Sequence, residues 1–315
     1  MNARGTMQSK VVAYLAERRR AGFIMHIEGQ QLTWFARFID DTGYRGPLTI
    51  DIASRWANAN RLGRRITAAR RIEVLRGFAR YCRSWDGRSE IPPLRLFGPG
   101  HRRLTPHIYS NAELHILMSA ARQLHPAHRL RGETCAAVIG LIAACGLRIG
   151  EATALRRADV DFDHSCLQIR HGKFGKSRLV PMHPSTRKAL RSYAQRRDRD
   201  PQCACSEAFF VFDRGRPDGT RHLHYAFREV RQALHRRPRG GHCRYRLHDL
   251  RHSFVCRRLE RWYQQGADID GQMLALSTYI GHAKPTDTYW YVTATPRLLS
   301  LAARRLEPLA AVGAA

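Results

Sequence analysis

Leu247-His248-Asp249-Leu250-Arg251-His252-Ser253-Phe254 is the stretch on which the reading of this chain turns. His248 and Arg251 stand three positions apart, so on a helix their side chains face the same way. An imidazole and a guanidinium on one face suit a phosphoryl oxygen. Taken alone, the pattern is equally well met by a histidine capped by backbone or by Asp249.

Downstream lies Ile280-Gly281-His282-Ala283-Lys284-Pro285-Thr286-Asp287-Thr288-Tyr289-Trp290-Tyr291. The spacing predicts a helix that ends at Gly281 and a new short helix beginning near Pro285. A tyrosine on that short helix is either a core aromatic or a nucleophile. Tyr289 and Tyr291 are two apart and point roughly 200° away from each other on a helix, so only one of them can share a given site.

Upstream, residues 133–147 read as a buried helix rich in Ala, Val, Ile and Leu, running into Cys145-Gly146-Leu147-Arg148-Ile149-Gly150-Glu151. An arginine at a glycine-rich helix junction reaches a phosphate with a planar fork of donors. Glu151, three residues on, shares its face and holds the guanidinium; an ordinary surface Arg–Glu pair fits the same residues. Cys166 to Arg170 and Arg178 to Met182 read as two strands of a hairpin, joined by the turn Gly172-Lys173-Phe174-Gly175. Lys173 in that turn is by itself no more than a solvated cation.

Away from these boxes, Ser110-Asn111-Ala112-Glu113 is a capping-box pattern that opens the second half of the chain. The first 84 residues predict helices on apolar stripes: Val11, Tyr14 and Leu15; Leu32, Phe35, Ala36, Phe38 and Ile39; Ile50, Ile52, Ala53 and Trp56; and Ile66 to Ala79. Asp86-Gly87, Pro92-Pro93, Gly98-Pro99-Gly100 and Pro106, together with His101-Arg102-Arg103, mark residues 85–107 as a basic extended linker. Arg297 to Leu306 forms an amphipathic helix that either packs on its own domain or docks elsewhere.

Composition narrows the partner. Among 315 residues, 54 Lys+Arg stand against 26 Asp+Glu, a net charge of +28. A compact body so charged repels itself unless a polyanion is near, and nucleic acid is the natural one. No run approaches the roughly 18 apolar residues that span a bilayer, and the polar start of the chain lacks a secretory core. The chain is expected in the cytoplasm, with its eight cysteines as reduced thiols. Cys203-Ala204-Cys205 and His242-Cys243 lack the usual spacing of a zinc site.

The ordered set Arg148, Lys173, His248-x-x-Arg251, Gly281-His282 and Tyr291 closely resembles the catalytic domain of the tyrosine recombinases, the family of phage integrases and chromosome-dimer resolvases. The Gly-Leu-Arg-x-Gly-Glu box, the Gly-Lys-x-x-Lys-x-Arg-x-Val-Pro hairpin and the His-Asp-Leu-Arg-His-Ser box all match. So does the spacing of nine residues from His282 to Tyr291. The match covers about residues 108 to 307, and Thr288 to Pro296 look like transposon-borne members. Phe174 departs from the family, where many members have glycine, and stiffens the turn that carries Lys173.

The resemblance implies a fold that is mainly α with a small β-sheet. It divides into an N-terminal helical core-binding domain over residues 1–84, a linker over 85–107 and a mixed α/β catalytic domain over 108–315. It also implies strand cleavage and rejoining on double-stranded DNA through a 3′-phosphotyrosyl link, with no metal and no cofactor. Tyr291 is then the nucleophile. Arg148 and Arg251 stabilise the phosphate, Lys173 protonates the leaving 5′-oxygen, and His248 helps accept the tyrosine proton. His282 donates to the phosphate and Glu151 supports Arg148. A homotetramer on paired sites, in some systems with sister recombinases, completes the expectation. The alternatives are a catalytically silent DNA-binding accessory protein, a chromosome-dimer resolvase, and a type IB topoisomerase-like enzyme.

Overall fold

The computed structural model describes residues 6–59, 63–101, 103–125, 130–170, 177–212, 219–293 and 295–312, with side chains omitted at 293 and 305–312. The chain divides into two compact units, Met1–Arg103 and Leu104–Ala315.

The first unit is built from α1 (Met7–Arg20), α2 (His26–Asp41), α3 (Ile50–Asn58) and α4 (Arg65–Trp85). The four apolar stripes of the sequence supply its core, with Val11, Leu32, Phe35, Leu75 and Phe78 excluded from solvent, although Ile66 at the start of the fourth stays exposed. Phe35 meets Trp56 edge-on at 5.2 Å, and Tyr14 meets Phe78 at 5.5 Å. Helix ends follow the local chemistry. Thr6 caps α1 and Thr49 caps α3 through side-chain oxygens. Asp40, at the end of α2, accepts from the backbone of Met7 and Gln8, which ties α1 to α2.

The stretch read as an extended linker is largely folded onto this first unit. Ile91, Leu96 and Phe97 pack against its core. The Glu90 carboxylate accepts from the Ile50 amide at 2.6 Å, and the Gly100 amide donates to Glu73 at 3.2 Å. Proline and glycine removed helical propensity from this stretch, but its few apolar side chains still find a core. The division between the units therefore falls at Arg103/Leu104.

The second unit is built around α6 (Arg131–Cys145), buried on most sides and packed against α5 (Asn111–Arg122) and α8 (Pro184–Asp198). The capping box at the start of α5 forms as expected, with the Ser110 and Glu113 side chains each accepting from the other's backbone. After α7 (Ile149–Thr153) come β1 (Val160–Asp161), β2 (Cys166–Ile169) and β3 (Arg178–Pro181), an antiparallel sheet in that order. Leu167 pairs with Val180 and both point into the core. β1 was not foreseen, because two residues are too few to show a period. The chain continues through α9 (Pro201–Ala204), α10 (Gly219–Val230), α11 (His248–Gln264), α12 (Ile269–Ile280), α13 (Thr286–Tyr289) and α14 (Pro296–Val312). At the start of α14, Leu298 is fully buried in a cluster with Val255, Leu259 and Tyr291. That end of the amphipathic C-terminal helix therefore packs on its own unit. The fold is mainly α with one small sheet, as the sequence led one to expect. Among the described residues, no helix is long and apolar enough to cross a membrane.

Candidate active site

Two helices stop at glycines, and their open ends create the site. α6 ends at Gly146 with φ +63°, and α12 ends at Gly281 with φ +70°. A left-handed cap of this kind turns the chain away and leaves the last carbonyls without partners in the helix. Arg251 takes two of them, donating from Nη1 to the Gly146 carbonyl and from Nη2 to the Ile280 carbonyl, each at 2.7 Å. Arg148 donates from Nη2 to the Gly281 carbonyl at 2.6 Å. The negative ends of two helix dipoles thus face two cations. Glycine is needed at 146 for space as well: a Cβ there would lie 2.4 Å from Cδ1 of Phe254.

Arg251 is 1% exposed. Burial, with repulsion from Arg148 adding to it, pushes its guanidinium down to about 10, so it remains a cation near neutral pH. Its position on α11 follows from the helical spacing: Leu250 enters the core on one side, while His248, Arg251 and His252 share the other.

Glu151 sits between two arginines. Arg148 donates to it from Nη1 at 2.7 Å, and the Arg148 amide donates at 3.0 Å. From β3, Arg178 donates to both of its oxygens at 3.1 and 2.8 Å, and its Nε donates to the Tyr279 carbonyl at 2.8 Å. Burial pushes the Glu151 carboxyl up, but hydrogen bonds from Arg178 and Arg148 outweigh it and hold the group down at about 2. The carboxylate is therefore charged throughout the neutral range and fixes the plane of the Arg148 guanidinium.

Two imidazoles, His252 and His282, lie against the tyrosine, and a third, His248, lies against His252. The rings of His248 and His252 meet edge-on at 4.6 Å, one helical turn apart. Nδ1 of His252 lies 2.8 Å from the Tyr291 hydroxyl. His282 lies nearly parallel to the Tyr291 ring, with 6.2 Å between centroids. Its Nδ1 shares a hydrogen bond with the buried Thr288 hydroxyl at 2.8 Å, and Thr288 in turn bonds to Ser277 at 2.5 Å. Burial first, then the nearby arginines, push His248 and His282 down to about 4. Burial, then His248 and Arg246, push His252 to about 2. All three rings are neutral at neutral pH.

The segment that carries the tyrosine differs in detail from the expectation. α13 is a single turn, and Trp290–Thr293 continues as a 3-10 turn, so Tyr291 sits on the 3-10 turn and not on the short helix itself. The opposed directions of the two tyrosines are found. Tyr291 is 3% exposed, whereas Tyr289 is 43% exposed and donates to Asp270 at 3.2 Å.

The structure thus gathers Arg148, Glu151, His248, Arg251, His282 and Tyr291 at one place. Lys173 and its turn lie outside the described residues. The sequence reading missed three contributors. His252 was accessible to it, since it lies four residues after His248 and so shares its helical face. Arg178 stood within the hairpin motif without a role. Thr288 carried no local signal. Among the described residues, no group of three or more His, Cys, Asp or Glu side chains is placed to hold a metal ion. What the site does offer is fixed guanidinium charge, neutral imidazoles and a buried phenol, a set suited to a phosphodiester and to proton movement around it.

Comparison with known proteins places this geometry. The phage integrase family matches residues 110–297. A chain of Sinorhizobium fredii named as an integrase/recombinase is 37% identical over 310 residues, covering 96% of this chain and 97% of that one. Tyrosine recombinase XerD of Bradyrhizobium diazoefficiens is 27% identical over 298 residues, with 89% of each chain covered. Among solved structures, the integrase of the Tn1549 transposon superposes with a TM-score of 0.67 at 16% identity, over 97% of this chain and all of that one. A lambda integrase dimer gives 0.64 at 14% identity, over 91% of this chain and 77% of that one. The family model over residues 110–297 and a relative matched along nearly its whole length agree with the sequence boxes and the fold that joins them: this chain belongs to the phage integrase family, the tyrosine recombinases.

Proposed function

We propose that this protein cuts and rejoins double-stranded DNA at specific sites through a covalent 3′-phosphotyrosyl intermediate, in the integration, excision or transposition of a mobile element. The observation that carries the reading is the placement of Arg148 and Arg251 on the carbonyls of two glycine-capped helix ends, beside the buried phenol of Tyr291.

Tyr291 attacks the scissile phosphorus. Charge builds on the nonbridging oxygens as the bond to the leaving 5′-oxygen breaks. Arg148 and Arg251 meet that charge with donors already in place. His282, held by Thr288, stands ready to donate to the phosphate, and the family resemblance gives His248 a part in accepting the tyrosine proton. Lys173 is the proposed general acid for the 5′-oxygen. A second 5′-hydroxyl then attacks the phosphotyrosine and restores the phenol. The bond energy is kept throughout, so no nucleotide is needed. The net charge of +28 supplies affinity for the DNA backbone at large. The helical unit up to Arg103 is proposed as the clamp across the duplex, and the unit from Leu104 as the catalytic domain. Work on two sites calls for a tetramer, and sister recombinases are candidate co-members. Acting on DNA, the protein is proposed to work in the cytoplasm.

The test is a library of nicked duplexes with randomised arms. After incubation and denaturation, DNA that remains attached to protein is recovered and sequenced. Enrichment of one sequence, linked through Tyr291 by mass spectrometry, is expected. Binding without any covalent product would turn the reading toward a silent accessory protein.

A further inference from the structure

We propose that His252 is a catalytic residue, whose Nδ1 takes the proton that Tyr291 loses when it attacks phosphorus. The proposal rests on the reading of the function given above and deepens it by naming the base. Among the imidazoles of the described residues, the hydrogen bond at 2.8 Å to the Tyr291 hydroxyl is made by His252 and not by His248, to which the family resemblance gave a part in taking the proton. The position is fixed from several sides. His252 rides on α11 directly after Arg251. Its ring is met edge-on by His248 at 4.6 Å and by Trp290 at 5.8 Å, and it lies 5.3 Å from the Tyr291 ring. A base held this way on a rigid helix keeps its acceptor nitrogen on the phenol oxygen.

The charges around the ring make the transfer conditional on substrate. The groups that face His252 are His248, Arg246 and Arg251 from α11 and its approach, and His282 from the end of α12. The two arginines oppose a further positive charge, and either histidine would do so if protonated. While no phosphate is present, the ring is therefore a weak base and the phenol keeps its proton. A phosphodiester seated on Arg148 and Arg251 brings a negative charge into the same cluster and strengthens the base when the nucleophile is needed.

The step balances as follows. The Tyr291 oxygen forms its bond to phosphorus while its proton passes to Nδ1 of His252. The bond from phosphorus to the 5′-oxygen breaks, and that oxygen receives a proton from the general acid. On rejoining, the incoming 5′-hydroxyl gives its proton back to the general acid. The bond from phosphorus to tyrosine then breaks, and the imidazolium of His252 returns its proton to the phenol.

The test uses the full chain and the site recovered from the library, with formation of the covalent adduct followed against pH. In His252→Asn an amide oxygen can still accept a hydrogen bond near the Nδ1 position but cannot carry off a proton. Adduct formation is expected to fall about a hundredfold or more, with DNA affinity unchanged. Replacing Tyr291 by a fluorotyrosine, whose phenol is more acidic, should restore much of the rate in His252→Asn and change the unaltered protein far less. Undiminished cleavage by His252→Asn would overturn the proposal alone. So would a loss that fluorotyrosine fails to rescue, since His252 would then only pack. Absence of any adduct from the unaltered protein would instead overturn the reading of its function.

Discussion

Arg178 grips both carboxylate oxygens of Glu151, at 3.1 and 2.8 Å, and Glu151 passes that hold to Arg148 at 2.7 Å. A residue of the sheet therefore orients a guanidinium at a helix end without pointing at the phosphate itself. Arg178→Lys keeps the charge but cannot bridge two oxygens. The expected outcome is a drop in cleavage rate of up to about a hundredfold, with KM and DNA affinity little changed. Single-turnover kinetics beside a binding titration decide it: equal losses in both would make Arg178 a DNA contact.

The same carboxylate sets an acid limit on stability. Glu151 is held at about 2 in the folded chain, well below its ordinary 4.5. Its contribution is fully present above about pH 4.5 and is lost as pH falls toward 2, since the unfolded chain binds the proton first. The size is of the order of 3 kcal/mol. Urea unfolding of the unaltered protein and of Glu151→Gln at a series of pH values should show a gap in stability that narrows across this window. A gap independent of pH would refute the assignment.

The two tyrosines should separate cleanly. Tyr291→Phe removes the buried hydroxyl that meets His252 and is expected to abolish the DNA adduct while sparing binding. Tyr289→Phe removes an exposed hydroxyl that meets Asp270 and should keep most activity. Peptide mass spectrometry of the trapped complex reads the outcome directly, and a nucleotide mass on Tyr289 would reverse the assignment.

Cleavage should persist in excess EDTA. Arg148 and Arg251 already supply the positive charge that a divalent ion gives other phosphoryl-transfer sites. Loss of activity that Mg²⁺ restores would be the contrary result.

Gly146→Ala should unfold more easily by about 3 kcal/mol, because it forces a side chain into a left-handed backbone and against the Phe254 ring. Cleavage should fall further than stability alone explains, since the Gly146 carbonyl holds Arg251. Thermal melting and adduct formation on the same sample separate the two effects.

Much of this was legible in the sequence because its signals are local. Gly281 announces a helix end, Ser110 with Glu113 announces a helix start, and His248-x-x-Arg251 places two groups on one face; the buried helix read over 133–147 stops two residues sooner, at Cys145, where Gly146 takes the left-handed cap. The pairing of β2 and β3 followed from apolar runs around a glycine-rich turn. What escaped depends on distant parts of the chain meeting. The clasp of Arg178 on Glu151 spans 27 residues, and the contact of His252 with Tyr291 spans 39. The anchoring of residues 86–100 on the first unit hangs on Glu73 and Ile50, which no pattern within the proline-rich stretch could reveal. The 3-10 geometry at Trp290–Thr293 was hidden for another reason: one residue more or less of helix leaves no trace in composition.

The carbonyls of Gly146, Ile280 and Gly281 hold both arginines from within the protein. Both guanidinium groups are therefore positioned by the protein's own backbone. The phenol, in contrast, rides on the short stretch from Thr286 to Thr293, in which Thr288 and Tyr291 are buried. Displacing that stretch would break the hydrogen bonds of Tyr291 to His252 and of Thr288 to His282, while the arginines keep their carbonyls.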